Sequence, residues 1–154
     1  LGIWLLIPMW LAIVVSKAQS PWLLLMLLMP IWLADSAAYF AGKRFGKHKL
    51  APSISPGKTW EGVAGAMIAV TLYSGICFIL DLGDASLFVI MWVIAILGIM
   101  GDLFESMMKR QANIKDSGHF LPGHGGILDR MDGVISSLPI ALFIIAQFGL
   151  NLGK

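Results

Sequence analysis

Five long apolar runs constrain this chain more than any other feature of its sequence, at about residues 1–15, 21–41, 62–80, 86–104 and 129–149. Roughly 20 helical residues cross a hydrocarbon core, and a helix is one of only two structures that satisfy every backbone polar group there. The other is a closed barrel, whose strands alternate apolar and polar residues, whereas these runs are continuous. With 58% hydrophobic and 13% charged residues, the chain also falls well below the ~25% charged residues of a water-soluble domain. The expected fold is therefore all-α: a polytopic helical membrane protein of about five transmembrane helices with two cytoplasmic polar loops. The chain opens inside an apolar run, on Leu1, and is read as the C-terminal part of a longer protein. Residues 1–15 lack the charged n-region of a signal peptide and read as a span.

The charges sort by side. Nine of the eleven Lys and Arg lie in two stretches: Lys43, Arg44, Lys47, Lys49 and Lys58 in one, and Lys109, Arg110, Lys115 and Arg130 in or beside the other. Five spans put both stretches on one face and the acidic link Asp81-Leu-Gly-Asp84 on the opposite one. The positive-inside rule assigns the basic face to the cytoplasm. Losing one span would separate the two basic stretches, so the charge distribution supports the span count independently.

Several carboxylates stand where lipid would otherwise be. Asp35 lies inside the second run, about 9 Å from its cytoplasmic end at ~1.5 Å per residue. A lone carboxylate within a span costs roughly 2.5 to 3.5 kcal/mol, so Asp35 should face protein, water or a cation, or else be held by a structural hydrogen bond. Tyr39 shares its face one turn on. Asp102 lies near the cytoplasmic end of the fourth run, with Glu105 and Ser106 one turn further. Asp129 and Asp132 open the last run and share a face. Any one of these carboxylates could be answered by a salt bridge to a loop Lys or Arg. Three segments bringing hard oxygen ligands to one depth beside a basic cluster suggest more, namely a divalent cation, most simply Mg²⁺, holding a polyphosphate.

The stretch Ser55-Pro-Gly-Lys-Thr-Trp-Glu61 imitates the end of a P-loop at Gly57-Lys58-Thr59, but position 52, where the first glycine would stand, is Pro. No βαβ context exists either, so a Walker A site is rejected. What remains is a Pro-Gly turn, a Lys, a hydroxyl and a helix start, where anions are favoured. The run Lys43-Arg-Phe-Gly-Lys-His-Lys49 reads as a topogenic charge cluster or as a substrate-binding one. His48 and His119 have no partner at zinc-binding spacing and read as loop residues, and the single Cys77 reads as a small lipid-facing or packing residue. His124 differs, because Gly123, Gly125 and Gly126 around it let the backbone approach a ligand and present N–H groups to phosphate.

The polar stretch between the last two runs resembles a known signature. Ser106, Lys109-Arg110, Lys115-Asp116, Gly118, Pro122, His124-Gly125-Gly126, Asp129-Arg130 and Asp132 stand in the order and spacing found in the phosphatidate cytidylyltransferase (CDP-diacylglycerol synthase) family. Asp35-Ser-Ala-Ala-Tyr39, Gly42-Lys-Arg-Phe-Gly46 and Ser55-Pro-Gly-Lys-Thr-Trp-Glu61 are similar to that family too, in the right order. The resemblance covers nearly everything from about residue 30 and matches the C-terminal half of a typical bacterial member.

What the resemblance implies is a single transmembrane catalytic domain over residues 1–154 that joins CTP to phosphatidic acid, giving CDP-diacylglycerol and pyrophosphate. It implies Mg²⁺ dependence, a dinuclear cation site on Asp102 and Asp129 with room for a second cation such as K⁺, a homodimer, and a multi-pass location in the bacterial inner membrane. The catalytic set is then Asp102, Lys109, Arg110, Asp116, Asp129 and Asp132. Asp35, Ser55, Lys58, Thr59, Glu61, Ser106, Lys115, His124, Gly125, Gly126 and Arg130 are read as substrate-binding. Membrane lipids are partners and nucleic acid is not. A CTP-dependent lipid kinase, or a nucleotidyltransferase with another lipid acceptor, uses similar groups and differs in its products. A cation transport protein would distribute its carboxylates across the membrane, whereas these gather on one face.

Overall fold

Each apolar run becomes a helix. The computed structural model describes the backbone of residues 2–112 and 128–148, and the side chains of 6–112 and 133–147. It contains α1 (Gly2–Gln19), α2 (Pro21–Phe45), α3 (Trp60–Ile79), α4 (Ser86–Gln111) and α5 (Leu128–Phe148), with strands β1 (Lys49–Ala51) and β2 (Ser55–Thr59) between α2 and α3. By length and composition α2, α3 and α4 can each cross a membrane, while the described apolar parts of α1 and α5, Leu6–Gln19 and Gly133–Gln147, are shorter. Leu27, Val70, Ile94 and Leu138 are fully buried, yet Leu72 is 65% and Ile79 82% exposed. So much apolar surface on the outside of a bundle belongs against lipid or further protein.

Small residues decide how closely the helices approach. A Cβ on Gly65 would stand 2.4 Å from the Ala41 Cβ, and one on Gly62 would stand 2.9 Å from the Ala38 carbonyl oxygen. The pairing of α2 with α3 thus depends on glycine, as close helix contacts in membranes commonly do. Pro30 removes the N–H that would have bonded to the Met26 carbonyl one turn earlier in α2. The Tyr73 hydroxyl of α3 donates to that carbonyl at 3.4 Å and answers the lost bond. On the other side of the bundle α4 and α5 cross at Gly98 and Gly133, where a Cβ on Gly133 would be 3.8 Å from the Gly98 Cα and 3.1 Å from the Ile31 Cγ2 of α2. The Ser136 hydroxyl, 3.0 Å from the Leu97 carbonyl oxygen, ties the same crossing.

The link between α3 and α4 is tight. Asp81 takes the left-handed conformation, with φ 56°, and the N–H groups of Leu82 and Asp81 donate to the carbonyls of Cys77 and Phe78. That is a Schellman closure with Asp where glycine is usual. Asp84 then accepts from the backbone N–H and hydroxyl of Ser86, which holds its carboxyl below the usual range.

Two features differ from the sequence expectation. The turn expected over Ser55–Glu61 is strand β2, antiparallel to β1, running into the first turn of α3, so among the described residues the fold is helical with one small hairpin and is not strictly all-α. Strands of three and five residues are too short to show a period, and Pro56 and Gly57 disfavour strand structure. The second polar stretch also starts later than expected, because α4 continues through Ser106, Lys109 and Arg110 to Gln111. An ion pair from Glu105 to Lys109 at 3.2 Å, one turn apart, supports that extension.

Candidate active site

The irregular hairpin gives the site its shape. Lys49 pairs with Thr59 and Ala51 with Ser55, so Leu50 alone stands opposite Pro56, Gly57 and Lys58. Such a bulge turns side chains away from the regular alternation. Lys58 consequently reaches α4, where its ammonium lies 2.5 Å from the Asp102 Oδ2 and 3.3 Å from the Ile99 carbonyl oxygen.

Immediately after Lys58 the chain enters α3. Thr59 is the N-cap, and its buried hydroxyl accepts from the Gly62 N–H at 3.1 Å. Gly46 and Gly62 close on it from either side: a Cβ on either would come within 3.2 Å of Thr59 side-chain atoms. The His48 N–H donates to both carboxylate oxygens of Glu61 at 3.3 Å, and the His48 Nδ1 lies 2.7 Å from the Glu61 Oε1. The Trp60 N–H donates to the His48 carbonyl at 3.0 Å. The ends of the hairpin are thereby latched to the first turn of α3.

These contacts frame a cleft of about 330 Å³ lined by Asp35 and Tyr39 of α2, Leu50 of β1, Ser55 to Thr59 of β2 apart from Pro56, Val63 of α3, and Ile99 and Asp102 of α4. Its volume falls in the usual range of ligand sites. Asp35 and Asp102 line the same cleft, and Lys58 pairs with Asp102 there. The Ser106 hydroxyl donates to the Asp102 Oδ1 at 3.4 Å.

The helix crossing sets the level of the Asp positions. Ile31, Gly98 and Gly133 are neighbours at the junction of α2, α4 and α5. Asp35 and Asp102 lie one turn on from Ile31 and Gly98, and Asp129 lies one turn before Gly133 on the antiparallel α5. Each is thus displaced by ~6 Å along its helix toward the hairpin end, and the three backbone positions reach one level. Among the described residues no group of three metal-ligating side chains is complete. The side chains of Asp129, Arg130 and Asp132 lie outside the described residues, as do Lys115, Asp116, His124, Gly125 and Gly126 altogether.

Of the remaining site candidates, Ser55, Lys58 and Thr59 line the cleft, while Glu61, Ser106, Lys109 and Arg110 stand outside its wall. The Thr59 hydroxyl accepts the helix-cap bond and the Glu61 carboxylate accepts from His48, so both side chains also serve the local fold. The Arg110 Nε donates to the Ile54 carbonyl at 3.4 Å, linking α4 to the tip of the hairpin. By sequence His48 reads as a plain loop residue, and its latch to Glu61 has no local signal, because the two meet only when the hairpin closes. Tyr39, which shares the Asp35 face of α2, lines the same cleft, with the Lys43 ammonium 5.6 Å from its ring centre.

An apolar helix bundle with a carboxylate-bearing cleft at one end defines a helical membrane protein. The chain belongs to the cytidylyltransferase family, whose model matches residues 1–148. It is 45% identical over 164 residues to a phosphatidate cytidylyltransferase of Pseudomonas aeruginosa, covering 97% of this chain and 58% of that one. With its counterpart from Haemophilus influenzae it shares 44% identity over 124 residues, covering 76% and 43% of the two chains. For Bacillus subtilis the figures are 45% over 122 residues, with 77% and 45% covered. The chain spans about half the length of the curated relatives it matches. A solved structure presented as an intramembrane enzyme for archaeal membrane lipids biosynthesis superposes with a TM-score of 0.61 at 22% identity, covering 77% of this chain and 75% of that one. At that identity the likeness is one of fold.

Proposed function

We propose that the protein of which this chain is part transfers CMP from CTP to phosphatidic acid, forming CDP-diacylglycerol and pyrophosphate. The observation that carries this reading is the convergence of Asp35, Asp102 and Lys58 on one cleft at the polar end of an apolar bundle. The family and its relatives named phosphatidate cytidylyltransferase support it.

The lipid phosphate is already an anionic nucleophile, so no Ser or Cys nucleophile is required. One of its oxygens attacks the α-phosphorus of CTP as the bond to the β-phosphate oxygen breaks and pyrophosphate departs. The chief difficulty is charge, since two polyanions must meet and negative charge builds on the leaving group. Among the described residues Lys58 is the cation that lines the cleft, and Asp102 orients it. Arg110 is exposed beside the hairpin tip, where it can meet an incoming phosphate. Lys109, Lys115, Asp116, Arg130, Asp132 and the His124-Gly125-Gly126 turn complete the proposed constellation.

The donor chemistry fits Mg²⁺. Asp35 and Asp102 present hard carboxylate oxygens to the cleft, and the crossing at Gly98 and Gly133 brings the Asp129 position to the same level. Asp102 and Asp129 are the residues proposed to hold Mg²⁺, with a second cation such as K⁺ beside it. When bound, the metal supplies Lewis-acid neutralisation of phosphate oxygens.

The reading also includes five membrane spans, an inner-membrane location with the cleft facing the cytoplasm, and a homodimer. Its topology is supported by the exposed Lys43, Arg44, Lys47, Lys49 and Arg110 around the cleft end. The test is to supply membranes containing the full-length parent with CTP, phosphatidic acid and Mg²⁺ and to follow the products. Release of CDP instead of pyrophosphate would assign a lipid kinase, and no CTP-dependent lipid product would end the proposal.

A further inference from the structure

The hairpin that carries Lys58 is small. β1 has three residues and β2 five, paired at Lys49 with Thr59 and at Ala51 with Ser55 across an irregular step. A two-stranded hairpin of this size is marginal at best by itself. Side chains alternate along a strand, so a slip of one residue in the pairing would turn Lys58 to the opposite face, away from Asp102. The ladder is too short to forbid that slip, and the register has to be fixed from outside it.

His48, the residue before β1, supplies contacts at one joint that can do this. Its carbonyl accepts from the Trp60 N–H at 3.0 Å, one step beyond the pairing of Lys49 with Thr59. Its own N–H donates to both Glu61 carboxylate oxygens at 3.3 Å, and its Nδ1 lies 2.7 Å from the Glu61 Oε1. An ionised carboxylate only accepts, so Nδ1 carries the proton of this bond, and a bond to a charged acceptor is among the stronger ones. Glu61 is itself well anchored: it sits in the first turn of α3, between the buried Thr59 cap and Gly62, which packs on the Ala38 carbonyl of α2. The joint thus ties β1 to a helix whose own position is set by the bundle. The His48 side chain is 78% exposed, so its imidazole fills no core space, and neither His48 nor Glu61 lines the cleft.

We infer that His48 is a positioning residue for the transfer reaction: by bonding Glu61 it pins the register of the hairpin and so holds the Lys58 ammonium on Asp102 at the cleft. The inference rests on the function proposed above. It also reassigns Glu61, which the sequence suggests as substrate-binding, to the same latch, and neither residue has to touch CTP or lipid. At the far end the Arg110 Nε meets the Ile54 carbonyl at 3.4 Å, a contact that steadies the tip but does not set which residue faces Lys49. The latch acts through geometry alone, so a group that donates the same bond without the basicity of an imidazole serves equally well.

The experiment uses the full-length parent enzyme in detergent micelles with CTP, phosphatidic acid and Mg²⁺, and reads kcat, KM and the thermal midpoint. His48→Ala should lower kcat about tenfold or more, since displacing a positioned group by ~1 Å can cost ~100-fold, while the thermal midpoint stays unchanged. His48→Asn places an amide nitrogen where Nδ1 stood, donates the same bond and cannot act as a base, so it should recover most of kcat. In a Lys58→Met background His48→Ala should bring no further loss, because residues that act as a unit are not additive. Near-normal kcat in His48→Ala would overturn the inference. So would equal impairment of the Ala and Asn variants, which would give the imidazole a direct role in the chemistry. A further tenfold loss on top of Lys58→Met would also overturn it, since the latch would then act elsewhere than through Lys58. A thermal midpoint that falls together with kcat in His48→Ala would reduce the latch to a fold element and end the inference too. Failure of the wild-type enzyme to form a CTP-dependent lipid product would instead overturn the underlying function, a result visible before any variant is compared.

Discussion

The Lys58 ammonium and the Asp102 carboxylate lie 2.5 Å apart, joining a bulged strand to a long helix at the cleft. The pair neutralises part of the negative charge contributed by Asp35 and Asp102 and holds a cation where substrate phosphates would arrive. Lys58→Met should therefore lower CDP-diacylglycerol formation by about 100-fold or more, the scale seen when one preorganised charge stabiliser is removed. Lys58→Arg should recover only part of that loss, because a planar guanidinium does not reproduce a compact ammonium. Steady-state kinetics on protein with an unchanged thermal transition would show it; near-normal turnover by Lys58→Met would remove Lys58 from the chemistry.

Removal of divalent cations by a chelator should abolish activity, and Mg²⁺ should restore it. Asp129→Asn should be inactive at Mg²⁺ concentrations that saturate the wild type while still inserting in the membrane. Full turnover by this variant would exclude Asp129 as a ligand. Gly133→Leu probes the same relationship from the backbone, since a side chain there meets Ile31 and Gly98, and it should reduce both stability and Mg²⁺ response.

Tyr73→Phe removes one oxygen and leaves the Met26 carbonyl, already deprived of a partner by Pro30, without its hydrogen bond. The expected cost is ~1 kcal/mol, read as a lower midpoint of unfolding in mild detergent, with chemistry intact. An unchanged midpoint would mean that the carbonyl finds another donor.

Gly62 and Gly57 should behave oppositely although both line the cleft. Ala at position 62 places a Cβ 2.9 Å from the Ala38 carbonyl oxygen, whereas nothing lies within 4 Å of a Cβ at position 57. Gly62→Ala should destabilise by roughly 1 to 3 kcal/mol, as overpacking does. It should also lower activity by moving α3 away from Asp35. Gly57→Ala should stay within ~0.5 kcal/mol of the wild type. Paired thermal melts would test the contrast.

Much of the fold was legible because membrane helices are written locally. Apolar runs of span length need no tertiary contact to be identified, and the placement of charge orients them. The positions of Asp35 and Asp102 were readable for the same reason: a carboxylate in lipid is costly wherever the neighbouring helices lie. The hairpin was not readable, since its few residues acquire strand geometry only by pairing. Nor was the continuation of α4 past its apolar run, because polarity marks that segment as a loop while its Met, Lys, Arg and Gln residues are good helix formers.

The sequence by itself determined that this chain is a helical membrane protein, which residues carry charge, and which end of the bundle they occupy. Those properties follow from the cost of polar groups in hydrocarbon, a cost fixed residue by residue. Only the tertiary structure decided which charges meet. The bulge turns Lys58 onto Asp102, Pro30 in α2 is answered by Tyr73 in α3, and the meeting of Ile31, Gly98 and Gly133 brings three Asp positions to one level. These relations depend on the distance between helices, which is set by close packing of small side chains far apart in the chain and has no local periodicity to announce it.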